Sequence, residues 1–312
     1  EYENRLFTGL DAINLTVTDT GITSAEILAI ADNTTGVVTA TAADTALATV
    51  ITNLAFTGGD AAEAISDDFT GHNLSFALTD NTVTAANLNT LLGRTKGTIA
   101  IDPANGNDSP TISGSYSALT TAFASSQITG LDAADVTLTG GATVAQINAL
   151  AQETTGVITA TASEGDMATL AGLTETTNAI SISVTDASVD ATALLALDAK
   201  TTGVITVTGT TLTGTVADIT SAFTANTAGT ISGLTNINVT PDSGITMAEG
   251  NALIALNGTG IVTATITDEQ DLTTLIAGGT GINAGDEAGH VFNITVARQV
   301  SASDGVPLDT SI

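Results

Sequence analysis

Hydrophobic and polar positions alternate in short runs along this chain, switch to a helical spacing, then return to alternation. In Leu15-Thr16-Val17-Thr18, Leu15 and Val17 fall on one side and the threonines on the other. From Val37 to Ala42 the same rule turns Val38, Ala40 and Ala42 inward and Thr39 and Thr41 outward. Between these runs apolar residues recur at helical spacing: Ile27, Leu28 and Ile30. The unit is a strand, a helix start, a short amphipathic helix, a glycine and a second strand. It recurs five times, at 15–42, 74–102, 136–162, 180–208 and 237–267.

Each helix start carries a residue that accepts an unpaired first-turn N–H: Thr23, Thr84, Thr143, Asp190 and Thr246. Thr23/Glu26, Thr143/Gln146 and Thr246/Glu249 have the spacing of a capping box. The glycines are Gly36, Gly97, Gly156, Gly203 and Gly260. They follow the caps by 13 residues in four copies and by 14 in the fifth. Their expected role is to close each helix in a left-handed conformation. Further short helices are predicted at 44–54, 166–173 and 270–276, and βα turns at 115–123 and 213–223.

Strand starts then fall near 15, 37, 74, 98, 136, 157, 180, 204, 237, 261 and 291. Strands joined by helices favour parallel pairing with right-handed crossovers, and the repeat length suits stacked modules. The expected fold is α/β. It is a right-handed repetitive β-α solenoid of about 11 strands, with a parallel sheet on one face and short helices on the other. A doubly wound α/β domain is the alternative. The array is read as continuous over 1–312, with units at 14–72, 73–134, 135–178, 179–235 and 236–297 and a tail at 298–312. Thr8-Gly9-Leu10-Asp11 already reads as mid-repeat and recurs as Thr129-Gly130-Leu131-Asp132, so a segment of a longer repetitive chain is expected.

Composition narrows the function. Hydrophobic residues make up 43% of 312 residues, enough for a sizeable core, but aromatics only 3%. The core must therefore be mostly Ala, Val, Leu and Ile in thin layers. With 33 acidic and 5 basic residues the formal charge is −28, a field that repels nucleic acid and anionic membranes and attracts cations. There is no cysteine to form disulfides. No charge-free apolar run of about 18 residues, lipidation motif or signal peptide is seen.

The phrases TLTGTVADITSAF, ITGLDAADVTLTG, VTDASVDATALLALDAKTTGVITVT and TTGVITATA resemble repeats of very large secreted surface proteins of cyanobacteria and other marine bacteria. Those proteins accompany hemolysin-type calcium-binding (RTX) repeats and are exported by type I secretion. The resemblance covers nearly the whole chain. It implies an extracellular, cell-surface location, calcium dependence, and a part in a surface layer, filament or adhesin. The glycine-rich nonapeptides of RTX repeats are not present as a run; 278–283 is one degenerate echo.

Calcium needs several hard oxygen ligands. One candidate is Asp102 with Asn105, Asn107 and Asp108, around a glycine turn; an ion-free Asx turn is the alternative. A second is the set of aspartates ending first strands, Asp19, Asp80, Asp186 and Asp242; each bonding its own turn backbone is the alternative. Asp67-Asp68 and Asp286-Glu287 read as solvated loop pairs. His72 and His290, the only histidines, lie in no nucleophile or zinc motif and read as loop or strand-edge residues. No enzyme activity is expected.

Six Thr-x-Thr pairs remain: Thr16/Thr18, Thr39/Thr41, Thr137/Thr139, Thr159/Thr161, Thr206/Thr208 and Thr263/Thr265. They are read as surface columns, since Thr suits an exposed strand. Aligned on a flat sheet, the pairs would also resemble an ice-binding face. The leading expectation is an extracellular structural protein that assembles with itself, with calcium as the possible cofactor. An adhesin binding cells or glycans is the alternative, and ice binding a minor one. No nucleic-acid partner or membrane insertion is expected.

Overall fold

The computed structural model describes residues 12–54, 71–102, 109–270 and 289–296. It is an α/β protein whose strand pairs are parallel throughout the registered sheets. The chain divides into two compact units, Glu1–Thr161 and Ala162–Ile312.

In the first unit the order is β1 (Leu15–Thr16), α1 (Ser24–Ala31), β2 (Val38–Ala42), α2 (Leu47–Leu54), β3 (Asn73–Leu78), β4 (Thr82–Thr84) and α3 (Ala85–Leu92). There follow β5 (Ile99–Ile101), β6 (Thr111–Gly114), α4 (Tyr116–Phe123), β7 (Ile128–Thr129), β8 (Asp135–Ala142), α5 (Val144–Leu150) and β9 (Ile158–Ala162). One sheet runs β1-β2-β3-β5-β7. Strands β4, β6 and β8 leave it and pair with each other.

The second unit holds α6 (Met167–Leu170), β10 (Ala179–Val184), β11 (Ser188–Asp190), α7 (Ala191–Asp198), β12 (Ile205–Val207) and β13 (Thr211–Gly214). It continues with α8 (Val216–Ala228), β14 (Ile231–Ser232), β15 (Asn238–Pro241), α9 (Met247–Leu256), β16 (Thr263–Gln270) and β17 (Val291–Val296). Here β10-β12-β14 form one run and β11-β13-β15 another, while β16 pairs with β17.

A short extra strand before several helices corrects the expectation of one strand per helix. In the sequence Thr84 and Asp190 read only as helix caps, yet both close short strands, Thr82-Val83-Thr84 and Ser188-Val189-Asp190. Each is a three-residue strand whose central valine is buried while its flanking residues are exposed. A helix cap must be extended, and the two residues before it continue that extension far enough to pair with the next turn of chain. Leu15 pairs with Val38, Phe76 with Ile99, Ile182 with Ile205 and Ser188 with Thr211, an offset of 23 residues each time.

The alternation holds. Val38, Ala40 and Ala42 are buried, and Thr39 and Thr41 exposed. The eleven expected strand starts lie within two residues of observed strands. The core is mostly aliphatic, with Phe76 and Phe223 also buried: Leu74, Leu78, Leu88, Leu91, Ile99, Ile112 and Leu194 are fully enclosed, each stabilising by about 1.5–3 kcal/mol through burial. The helices predicted at 44–54 and 166–173 are α2 and α6. The one predicted at 270–276 begins on Gln270, which ends β16, and its remainder lies outside the described residues.

Candidate functional site

Thr23, Thr84, Thr143, Asp190 and Thr246 are extended N-cap residues whose side chains accept the N–H three residues on. All three capping boxes form. The Thr23 backbone N–H and then its hydroxyl hold the Glu26 carboxyl below its ordinary value. The Thr169 backbone N–H does the same to Asp166, the cap of α6.

The five spaced glycines do something other than close helices. None has a positive φ. Helices α1, α3, α5 and α7 end on right-handed Asp32, Gly93, Ala151 and Ala199. The glycines lie three to five residues further on, where the chain crosses the preceding turn of backbone. A Cβ on Gly36, Gly97, Gly156, Gly203 or Gly260 would fall 2.2, 2.2, 2.2, 2.3 or 2.0 Å from the carbonyl oxygen of Ile13, Leu74, Ala134, Ile180 or Ile237. Glycine is required here for close approach.

Beside each of the first four glycines sits a threonine two residues earlier. The Gly36, Gly97, Gly156 and Gly203 N–H groups donate to Oγ1 of Thr34, Thr95, Thr154 and Thr201 at 3.0, 2.9, 3.0 and 2.9 Å. Each hydroxyl donates back to the preceding turn: Thr95 to the Leu74 carbonyl at 2.6 Å, Thr154 to Ala134 at 2.7 Å, Thr34 to Ile13 at 3.0 Å. Thr95 and Thr201 also accept the Leu74 and Ile180 N–H at 2.9 and 2.8 Å. Thr95, Thr154 and Thr201 are buried. A buried hydroxyl that is satisfied in this way ties one turn of chain to the next. The Thr-x-Gly spacing was visible in the sequence, but its partner, a carbonyl about 21 residues away, was not.

The aspartates at strand ends turn out to serve helices and turns. Asp80 Oδ2 accepts the Leu47 N–H at 2.7 Å, and Asp186 Oδ2 accepts that of Met167 at 2.8 Å. These are the first residues of α2 and α6, so a carboxylate from the following strand caps a helix of the preceding turn, the favoured place for negative charge. Asp44 does the same for Ser24 at the start of α1. Asp19 bonds the Gly21 N–H of its own turn at 2.8 Å. Asp242 is exposed and its N–H bonds the Gly214 carbonyl at 3.0 Å. Asp102 is exposed, and Asn105, Asn107 and Asp108 lie outside the described residues. Among the described residues no three His, Asp or Glu side chains group as a metal site.

The two histidines occupy equivalent places. His72 Nδ1 accepts the Val38 N–H, and His290 Nδ1 that of Val262, each at 2.9 Å. Each acceptor sits just before the strand that pairs next.

The Thr-x-Thr residues are exposed apart from half-buried Thr137. The six pairs are spread over more than one sheet. Thr16 pairs with Thr39, and Thr39 with Asn73; Thr41 pairs with Ser75. Thr137 pairs with Ser113 in the β4-β6-β8 run, and Thr206 lies between Ser183 and Ser232. Thr263 and Thr265 face Val291 and Asn293. Thr159 and Thr161 point outward along β9.

Two of the second threonines lie past the ends of their strands. Strands β1 and β12 are two and three residues long and stop before Thr18 and Thr208. The Thr208 N–H and hydroxyl each donate to the Val184 carbonyl at 2.9 Å, so Thr208 ties a turn and does not extend a column. Thr139 belongs to β8 but lies past Leu138, the last residue in register with β6. The next residue, Gly140, has φ 86 and stays within β8. On β2 and β16 both threonines of the pair lie beside a neighbouring strand, whereas β1 and β12 are long enough to hold only one.

The outward side of the β1-β2-β3-β5-β7 sheet carries Thr16, Thr39, Thr41, Asn73, Ser75, Ala77, Ala100 and Thr129. That of β10-β12-β14 carries Ser181, Ser183, Thr206 and Ser232. Neither holds a charge or a side chain larger than Asn. Val204, 46% exposed, precedes Thr206 on the same side. Among the described residues no helix is long and apolar enough to cross a membrane. No family model matches the chain, and searches of curated proteins and of solved structures return no match.

Proposed function

We propose that this chain is an extracellular structural protein that assembles with copies of itself at a cell surface. Its parallel strands and intervening helices are read as coils of a right-handed solenoid within each unit, with each coil hydrogen-bonded to the one before. The observation that carries the reading is the uncharged outward face of the β1-β2-β3-β5-β7 and β10-β12-β14 runs in a chain of formal charge −28. Copies of so acidic a protein repel one another wherever carboxylates meet. Two such faces meet without burying a carboxylate, and small side chains let sheets approach closely. Calcium assists by neutralising the acidic turns that flank the faces.

The test is electron microscopy of the purified chain with calcium and with a chelator, beside a Thr39→Glu/Thr206→Glu variant. Ordered polymers that need calcium and vanish in the variant, with its melting curve intact, are expected. A monomer under every condition overturns the reading. A monomer that binds cells or glycans puts an adhesin in its place.

A further inference from the structure

We propose that the junction at Asn257–Gly260 binds one internal water molecule, which does there what a threonine hydroxyl does at the other four crossings. This site stands apart from the assembly reading and rests on the hydrogen bonds of the crossings. A Cβ on Gly260 would meet the Ile237 carbonyl oxygen at 2.0 Å, as one on Gly203 would meet that of Ile180 at 2.3 Å, so the two carbonyls hold equivalent places. In the four Thr-x-Gly junctions the equivalent carbonyl receives a hydroxyl proton. Ile13 takes it from Thr34, Leu74 from Thr95, Ala134 from Thr154 and Ile180 from Thr201, at 3.0, 2.6, 2.7 and 2.9 Å.

At the fifth crossing Asn257 stands in place of that threonine, and an amide has no hydroxyl to give. Thr259 does not supply one. It is exposed and corresponds to exposed Thr202: its N–H donates to Asn236 Oδ1 as that of Thr202 donates to the Asn178 carbonyl, each at 2.9 Å. Asn257 also adds a second acceptor to the junction. The residue is fully buried, and its Oδ1 has no partner among protein groups. Turning the amide over brings no relief. Its Nδ2 donates to the Gly260 carbonyl at 2.7 Å, and the reversed amide would set oxygen against oxygen.

The N–H groups that a threonine hydroxyl would accept have found other partners here. The Gly260 N–H donates to the Asn257 carbonyl and the Ile237 N–H to the Leu234 carbonyl, each at 3.2 Å. The junction therefore needs donors and no further acceptor. A buried oxygen without a donor is costly, and buried polar groups left over by the chain are what internal waters serve. Water carries two protons on one small centre. One goes to the Ile237 carbonyl, as the threonine proton does elsewhere, and the other to Asn257 Oδ1.

A high-resolution crystal structure of the whole chain tests this, beside a variant that carries Asn257→Thr with Gly258 deleted and so regains the Thr-x-Gly spacing. In the native chain one water is expected within hydrogen-bond distance of both Asn257 Oδ1 and the Ile237 carbonyl. In the variant that water is expected to be lost, with the new hydroxyl bonded to Ile237. Density that reaches only one of the two acceptors, or neither, overturns the proposal. So does a water that persists at Ile237 in the folded variant. If the variant does not fold, NMR of the native chain joins the native density in deciding. Water cross-peaks to the Asn257 side-chain amide protons, with the sign of a long-lived bound molecule, support the site, and their absence overturns it.

Discussion

The junction at Thr201–Gly203 and the one at Asn257–Gly260 make the same crossing with different residues. In the first, the Thr201 hydroxyl accepts the Ile180 and Gly203 N–H groups, and its proton lies between the Asn178 and Ile180 carbonyls at 3.1 and 2.9 Å. In the second, Asn257 uses its backbone carbonyl to accept the Asn236 N–H at 3.0 Å and its Nδ2 to bond the Gly260 carbonyl at 2.7 Å. The extra residue there is taken up by left-handed Gly258 (φ 64), which faces Asn236, itself at φ 66. Asn257 is fully buried, and its Oδ1 has no partner among protein groups. The glycine at the crossing is common to both. The polar clasp can be exchanged, at the expense of one oxygen that no protein group satisfies.

The comparison breaks most severely at the glycines. Gly203→Ala and Gly260→Ala each force a methyl to within 2.3 or 2.0 Å of a carbonyl oxygen. Both should lose about 3 kcal/mol or more in urea unfolding; a loss confined to one would end the claim that the crossings are equivalent.

Thr201→Val keeps the shape but strands the Ile180 and Gly203 N–H groups, for an expected loss of about 2 kcal/mol. Asn257→Leu surrenders one bond between protein groups and removes an oxygen that no protein group satisfies, so its loss should be about half as large. Equal losses would show that the two clasps contribute alike.

Asp186→Asn retains an oxygen for the Met167 N–H but removes charge from the start of α6. A loss of about 0.5 kcal/mol is expected at low salt, shrinking as salt is added. An effect that calcium removal reproduces in the native chain, and not in the variant, would instead make Asp186 a calcium ligand.

The smallest effect is read by acid titration. Glu26 is held below its ordinary value of 4.5 by Thr23, so its contribution is complete above that pH and is lost as pH falls through the lowered folded value. Glu26→Gln should flatten the native chain's acid melting profile only below about pH 4.5. A change near neutrality would point to another group.

The helices were legible because their determinants are local. A cap and its N3 partner are three residues apart, and Thr23-Glu26, Thr143-Gln146 and Thr246-Glu249 behave as that spacing requires. Strand faces were legible for the same reason, since alternation is a property of neighbours. Strand ends were less so: Thr206 and Thr208 look alike in the sequence, yet only Thr206 stays in the ladder. The extra strands at Thr82–Thr84 and Ser188–Asp190 were not legible, because three residues make a strand only when another segment lies alongside. The aspartates were legible as oxygen donors, while their partners, about 20 to 33 residues away, were not.

By itself the sequence determined which segments bend into helices, which face of each strand is apolar, and that parallel pairing must recur at a short offset. Short-range sterics and hydrogen bonds decide those matters, and every residue type involved states its preference locally. Tertiary structure alone decided what the glycines and buried threonines are for. A close crossing and a satisfied buried hydroxyl exist only between two stretches of backbone, and neither stretch encodes the other's position.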